Sequence, residues 1–267
     1  MSGAAAVTPL HCVRHRGPAT PGPTLVLVHG WACAASDWDV LVPGLRRLGS
    51  VVAVDLPGAG GSAPSAHGYT LPVVARQVAG TLDRLAPAAP VVLVGHSAGA
   101  EVVLAAEQLV PGVAGLVMVE PAYGADAAEE PRLRAIVRRL AVEDPAAVAR
   151  EYFRRLDGPA TPPHVTEGHA GRVAAAPEAI RGVFHEFAFG PGSFHFRPRT
   201  DARQRARRAP LLAVYRDPRR AAAGREFATR DGDRVVVHEG AGHWPHHEDP
   251  ARFLAGLERW LARVAIR

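Results

Sequence analysis

The Gly-His-Ser-Ala-Gly pentapeptide at residues 95–99 most constrains what this chain can fold into. It follows the apolar run 91–94 and precedes the Ala- and Leu-rich segment 101–110, which predicts a tight turn between a buried strand and a helix. The flanking glycines let strand and helix approach closely, while the serine sits on a strained backbone at the tip of the turn. A serine held clear of the fold can reach a substrate once a base takes its proton, so we expect Ser97 to be a nucleophile.

Strand-like and helix-like segments alternate on both sides of this turn. Continuous apolar runs, typical of buried parallel strands, lie at residues 25–28, 51–54, 91–94 and 116–119. Segments with helical spacing lie between them, at residues 73–85 and 101–110. This alternation predicts an α/β fold with a mostly parallel, doubly wound sheet covered by helices on both faces.

The alternation stops between residues 123 and 206. Charged helical stretches and Pro-rich turns fill this segment, and strand patterns resume at 211–215 and 234–238 before a final amphipathic helix. We therefore expect a core of residues 1–122 and 207–267 and a helical cap of residues 123–206. Such a cap would lie over the carboxyl ends of the strands, where open α/β sheets place ligands.

The charge balance first suggests a nucleic-acid partner. The net charge is +5 and the isoelectric point is near 10.0, with arginine supplying every basic side chain other than histidine. The densest basic run, Arg205, Arg207 and Arg208, has no interleaved aromatic residues of the kind that stack on bases. We expect this run to be a solvated face and predict no nucleic-acid partner.

The sequence also gives no sign of a membrane, a metal or a cofactor. No apolar run approaches the roughly 20 residues that span a bilayer, and the N-terminus lacks the pattern of a secretory signal. Cys12 and Cys33 are far apart and have no metal-ligand spacing. We expect a cytoplasmic protein without membrane partner, disulfide, metal or cofactor; the oligomeric state is left open.

Four motifs occur in the order in which the α/β-hydrolase family carries them. They are His-Gly-Trp at 29–31, the Gly-rich segment 55–62, the pentapeptide 95–99 and Gly-Ala-Gly-His at 240–243. Together they resemble the serine-nucleophile branch of that family over nearly the whole chain. The resemblance implies the α/β-hydrolase fold with an inserted helical cap and a reaction that needs no cofactor.

The resemblance also implies roles for individual residues. The catalytic base of the family lies after the last strand, at the position of His243. The backbone N–H groups of Trp31 and Ala98 would form the oxyanion hole, which stabilises the charge of a tetrahedral intermediate. The Gly-rich segment 55–62 would build a tight turn near the site, in which Asp55 hydrogen-bonds locally.

The acid that orients the base has two candidates. Most relatives place an Asp in a Gly-x-x-Asp loop after the next-to-last strand, but here that strand is followed by an arginine and Asp217, without a glycine. Glu120 comes directly after the strand at 116–119, and a Glu-Pro at this place resembles zearalenone-type lactone hydrolases. We favour Glu120 and keep Asp217 as the alternative.

The substrate pocket is less defined. Aromatic residues concentrate at 184–196, where they would form either cavity walls or a small core of the cap. We expect Gly30, Trp31, Phe184, Phe187 and Trp244 to contact substrate. The other histidines after His243, at positions 246 and 247, are expected on the surface of a loop.

These features predict a serine hydrolase that cleaves an ester, lactone or related acyl bond of a moderately apolar small molecule. An acyltransferase, a cyclase, a carbon–carbon bond hydrolase or a low-turnover binding protein would use the same residues, because a fold does not fix a reaction.

Overall fold

The structure is a computed structural model that describes residues 8–19, 22–167 and 176–266. The described residues form one sheet of seven strands, in the order β1-β3-β2-β4-β5-β6-β7. The strands are β1 Cys12–His15, β2 Thr24–Val28, β3 Ser50–Val54, β4 Val91–His96, β5 Val113–Val119, β6 Leu211–Tyr215 and β7 Arg234–Val237. All neighbouring pairs are parallel except β1 with β3, which is antiparallel.

Helices cover both faces of the sheet. The core helices are α1 Val42–Leu45, α2 Leu71–Leu85, α3 Ala98–Ala106, α8 Pro218–Arg225, α9 Pro245–Glu248 and α10 Pro250–Arg263, with a 3-10 turn at Ala35–Trp38. The helices between β5 and β6 are α4 Glu130–Val142, α5 Pro145–Arg154, α6 Pro177–Phe189 and α7 Arg199–Ala206, with a 3-10 turn at Ala127–Glu129.

The alternation of side chains along β2 shows how the core is divided. Val26 and Val28 face the cluster that includes α2 and α3, while Leu25 and Leu27 face the cluster that includes α1 and α10. A strand that is buried on both faces must be apolar at every position, which is why these runs are continuous. The predicted mostly parallel α/β fold with helices on both faces is confirmed.

The edge strand β1 was not predicted. Its residues are half-buried or exposed, and Val13 and Arg14 are open to solvent. An antiparallel edge strand needs no continuous apolar run, so its sequence carries no strong strand signal.

The described part of the segment between β5 and β6 consists of helices joined by turns and loops. Each of α4, α5 and α6 has a proline in its first turn, where a missing N–H costs nothing. Asp144 caps α5 by accepting hydrogen bonds from the backbone N–H groups of Ala146 and Ala147. The division into a core and a cap at residues 123 and 206 stays a prediction.

Arg207 departs from the expected solvated basic run. Its side chain is only 1% exposed and pairs with both carboxylate oxygens of Asp233, at 3.0 and 2.6 Å. Asp233 also accepts the backbone N–H of Leu211, the first residue of β6. Arg207 is therefore a buried structural residue, which corrects the sequence interpretation.

No helix among the residues described is both long and apolar enough to cross a membrane.

Candidate active site

Ser97 sits at the turn between β4 and α3, at the carboxyl edge of the sheet. Its backbone has a φ of 52° and a ψ of −118°, a conformation that residues other than glycine rarely adopt. Its N–H donates to the carbonyl of Val119 at 2.9 Å. A Cβ on Gly95 would lie 2.4 Å from the carbonyl oxygen of Gly99, and a Cβ on Gly99 would lie 2.3 Å from that of Val28. The turn therefore requires both glycines.

His243 lies on the loop that follows β7. Its backbone N–H donates to the carbonyl of Leu156 at 3.0 Å, and its own carbonyl oxygen lies 2.9 Å from Nε2 of His96. Its ring atom Nδ1 is 3.4 Å from Oε2 of Glu120. This distance is at the long end of hydrogen bonding, as is common in sites without substrate.

Glu120 follows β5 directly and is 1% exposed. Its backbone has a φ of 44°, and its N–H donates to the carbonyl of Val214 at 2.8 Å. Its Oε1 accepts the backbone N–H of Arg216 at 2.7 Å, and its Oε2 lies 3.3 Å from the guanidinium Nε of the same residue. Oε2 thus lies between two cationic or donor groups, Arg216 and the ring of His243.

The surroundings shift the pKa of both groups. Burial acts to raise the pKa of Glu120, but the hydrogen bond and charge of His243, the N–H of Arg216 and the charge of Arg220 outweigh it, so this pKa is lowered. Burial lowers the pKa of His243 below 6.5; Glu120 opposes the shift, and the charges of Arg216 and Arg220 add to it. The arrangement favours an ionised carboxylate beside a neutral imidazole, the state that a general base needs.

The other candidate acid has a different place. Asp217 is the N-cap of α8, and its Oδ1 accepts the backbone N–H of Arg219 at 2.8 Å. An Asp-Pro pair at a helix start commonly does this. The structure therefore brings Glu120, and not Asp217, to the ring of His243.

Trp31 and Ala98 both border the cavity next to Ser97. Across the described ranges, neither backbone N–H donates to a carbonyl oxygen. The side chain of Trp31 is fixed separately, because its Nε1 donates to the carbonyl of Ile180 in α6 at 2.8 Å. Their role as oxyanion donors stays a prediction.

A cavity of about 250 Å³ contains Ser97, Glu120 and His243 in its wall. Its large apolar and aromatic lining residues are Trp31, Leu133, Tyr152, Phe153, Leu156, Phe184 and Phe187. Its other ionisable lining residues are Glu101, Glu129, Arg132, His195, Arg216 and Arg220. The helices between β5 and β6 supply much of this wall, including Phe184 and Phe187, whose contact with substrate stays a prediction.

Two residues expected to contact substrate do not line this cavity. A Cβ on Gly30 would lie 3.2 Å from the Cβ of Ser97, so Gly30 permits a close approach of the two backbones but does not line this cavity. Trp244 is 2% exposed, and its ring packs against those of His243 and Phe153 at 5.3 and 5.9 Å. Both expectations are corrected: neighbours of site residues in sequence support the site from behind.

His246 and His247 are also placed differently from the expectation. They lie in α9 and are 1% and 5% exposed. His246 packs between the rings of Trp38 and His96, with centroid distances of 5.0 and 4.6 Å. They are buried core residues, since a polar pattern in a short segment does not reveal tertiary burial.

Sequence reasoning missed most ionisable residues of the cavity. Arg132 lies in α4, so only the tertiary fold brings it to this cavity, whereas His195 lies in the aromatic segment 184–196 that was expected to form cavity walls or a small core. Glu101 had a usable signal, because it lies about one helical turn after the nucleophile. No group of three or more His, Cys, Asp or Glu side chains in the described part of the chain is placed to hold a metal ion.

A sequence profile described as "Alpha/beta hydrolase family" matches residues 25–256, which is most of the chain. The chain belongs to the alpha/beta hydrolase family. The chain is an enzyme of this family, since its relatives are named as esterases and hydrolases. The finer resemblance to zearalenone-type lactone hydrolases stays a prediction.

Individual relatives agree with this family. The chain is 28% identical over 265 residues to a pimeloyl-acyl-carrier-protein methyl ester esterase of Xanthomonas oryzae, covering 91% of this chain and 96% of the relative. A biotin biosynthesis bifunctional protein of Cellvibrio japonicus is 41% identical over 78 residues, which span 29% of this chain and only 14% of that protein. A thermophilic esterase of Thermogutta terrifontis has the same fold, with a TM-score of 0.79 at 24% identity, covering 96% of this chain and 94% of that one.

Proposed function

We propose that this enzyme is a serine carboxylesterase that cleaves an ester, lactone or related acyl bond of a moderately apolar small molecule. The observation that carries the proposal is the cavity wall shared by Ser97, His243 and Glu120, in which Nδ1 of the histidine faces the carboxylate at 3.4 Å. A hydroxyl, a neutral imidazole and an ionised acid in one site are what acyl transfer to serine needs.

The proposed reaction has two halves. Ser97 Oγ attacks the carbonyl carbon while His243 takes its proton, and the histidine then gives that proton to the departing alkoxide. An acyl-enzyme remains, and water activated by the same ring releases the acid. Glu120 stabilises the imidazolium that forms in each half, and the N–H groups of Trp31 and Ala98 bind the oxyanion.

The relatives support ester cleavage in particular. The Xanthomonas relative is named a methyl ester esterase, and the Thermogutta protein is described as an esterase. The apolar and aromatic part of the cavity suits the acyl chain of such an ester.

The test is covalent labelling combined with turnover. Native protein is incubated with a fluorophosphonate probe and with p-nitrophenyl butyrate, and the labelled residue is located by mass spectrometry. We expect labelling at Ser97 and release of p-nitrophenol, with both lost in Ser97→Ala and in His243→Ala.

Matched controls come from an exposed loop. Ser65→Ala and His67→Ala remove the same two residue types outside the cavity and are expected to keep labelling and turnover. Absence of labelling in the native protein, or turnover that survives in Ser97→Ala, would overturn the proposal. Product analysis separates hydrolysis from acyl transfer, cyclisation and carbon–carbon cleavage.

A further inference from the structure

The cavity contains a second ionisable pair that the proposed reaction does not use. Nδ1 of His195 lies 3.0 Å from Oε1 of Glu101, and the two side chains are 12% and 1% exposed. Both residues border the same cavity as Ser97. Burying a carboxylate is costly unless it is paired, so the histidine is the group that makes Glu101 tolerable there.

Two elements hold this pair in place. Glu101 lies in the first turn of α3, one turn after Ser97, so about 5–6 Å of helix separates the two residues. His195 comes from the other side, between α6 and α7, and its carbonyl oxygen accepts the backbone N–H groups of Gly124 and Ala125 at 2.8 and 3.1 Å. The ring is therefore fixed against both the nucleophile helix and the chain that follows β5.

The contact with Glu101 also fixes the chemistry of the ring. A carboxylate only accepts hydrogen bonds, so the proton of the neutral ring resides on Nδ1 and Nε2 carries a lone pair. No atom of the described residues pairs with this Nε2. A residue that lines the cavity of Ser97 thus carries an oriented hydrogen-bond acceptor.

We propose that His195, oriented by Glu101, binds a hydroxyl group on the acyl part of the substrate. The proposal rests on the proposed esterase function and adds a substrate class to it, the hydroxyacyl esters. His195 is the binding residue, and Glu101 is a positioning residue that acts through it.

The alternative is a purely structural pair that ties α3 to the helices beyond β5. If the pair is only structural, its substitution lowers the stability of the protein and reduces the cleavage of all esters equally. A binding role changes the ratio between two esters that differ only in the hydroxyl, and this ratio cancels general losses of activity.

The first measurement uses native protein and four p-nitrophenyl esters of hexanoic acid. Two carry a hydroxyl, on carbon 3 or on carbon 6, and two carry the matching methyl ether, which cannot donate. We expect kcat/KM for at least one hydroxy ester to exceed that of its ether by about tenfold, as one buried hydrogen bond provides. Equal values at both positions would overturn the proposal.

The variants then assign the preference to the pair. His195→Phe and Glu101→Leu are expected to abolish the ratio, while Glu101→Gln, which keeps an oxygen acceptor for Nδ1, restores most of it. The control is His185→Phe, since His185 forms a similar pair with Glu186 at 3.1 Å but is half exposed and outside the cavity. A ratio that persists in His195→Phe would also overturn the proposal.

Binding separates this proposal from the esterase function. Calorimetry on Ser97→Ala protein compares the Kd of the methyl esters of the same hydroxy and methoxy acids. If native protein turns over none of the esters but the Ser97→Ala protein binds a hydroxy ester about tenfold more tightly than its ether, the esterase function fails and the hydroxyl site stands. If the esters are cleaved and both ratios equal one, the site fails and the esterase function stands.

Discussion

The backbone N–H of Arg216 donates to one carboxylate oxygen of Glu120, and the guanidinium of the same residue lies 3.3 Å from the other oxygen. That second oxygen also faces the ring of His243 at 3.4 Å. Arg216 therefore holds the carboxylate in the orientation in which it meets the histidine, and it adds a positive charge next to that ring.

Replacing this guanidinium should shift the pH profile in a defined direction. The charge of Arg216 lowers the pKa of His243, so Arg216→Met should raise that pKa and move the acid limb of kcat/KM to higher pH. The backbone N–H of Arg216 remains in this variant, so the carboxylate of Glu120 keeps one of its two contacts with this residue. Arg219→Met, at an exposed position in the first turn of α8, should leave the acid limb in place. An acid limb that stays in place or moves to lower pH would contradict this view of Arg216.

The native profile itself follows from the burial of His243. A base must be neutral to act, so activity is present above its pKa and is lost as the pH falls through it. Because burial lowers this pKa below 6.5, kcat/KM for p-nitrophenyl butyrate should fall on the acid side with a midpoint below 6.5. A midpoint above 7 would show that Glu120 outweighs burial.

His246 should make the fold sensitive to acid. Burial and then the charges of neighbouring histidines, His247 first, lower its pKa well below 6.5. The unfolded chain then binds a proton below pH 6.5 that the folded chain does not, so stability falls as the pH falls through that range. The slope for one proton is about 1.4 kcal/mol per pH unit.

The variant His246→Leu should flatten this dependence when the free energy of unfolding is measured in urea between pH 7 and pH 5. His67→Leu serves as control, because His67 is exposed. An unchanged slope in His246→Leu would assign the acid sensitivity to other groups.

The features that the sequence predicts correctly are those that depend on residues close together in the chain. The turn at Ser97 was read correctly as a strand-to-helix junction, because its glycines and the apolar strand before it act over a few residues. The buried strands were found for the same reason, since a parallel strand covered on both faces must be apolar throughout.

Features that depend on the tertiary fold could not be predicted from the sequence. Nothing near Arg132 shows that it reaches the cavity, and nothing near His246 shows that it is buried. Trp244 is expected to contact substrate, yet its ring packs against His243 and Phe153 outside the cavity, because consecutive residues point in different directions. Only the fold decides which of the two meets the substrate.

The pair of Arg207 and Asp233 gives a stability test of another such feature. Removing one partner of a buried ion pair leaves the other charge uncompensated, so Arg207→Met should cost about 3–5 kcal/mol of unfolding free energy. Arg205→Met, from the exposed part of the same basic run, should cost less than about 0.5 kcal/mol. Urea denaturation of the two variants measures the difference. Equal losses in both would mean that Arg207 is not a structural residue.

The identity of the acid is the central claim, and one comparison tests it most directly. The kcat for p-nitrophenyl butyrate is measured for Glu120→Gln and Asp217→Asn, with thermal unfolding to verify that both variants fold. Glutamine carries no negative charge to stabilise the imidazolium that forms at His243, so Glu120→Gln should lower kcat by about 10³–10⁴. Asparagine caps a helix as well as aspartate does, so Asp217→Asn should stay within about twofold of native. A crippled Asp217→Asn beside an active Glu120→Gln would contradict the account.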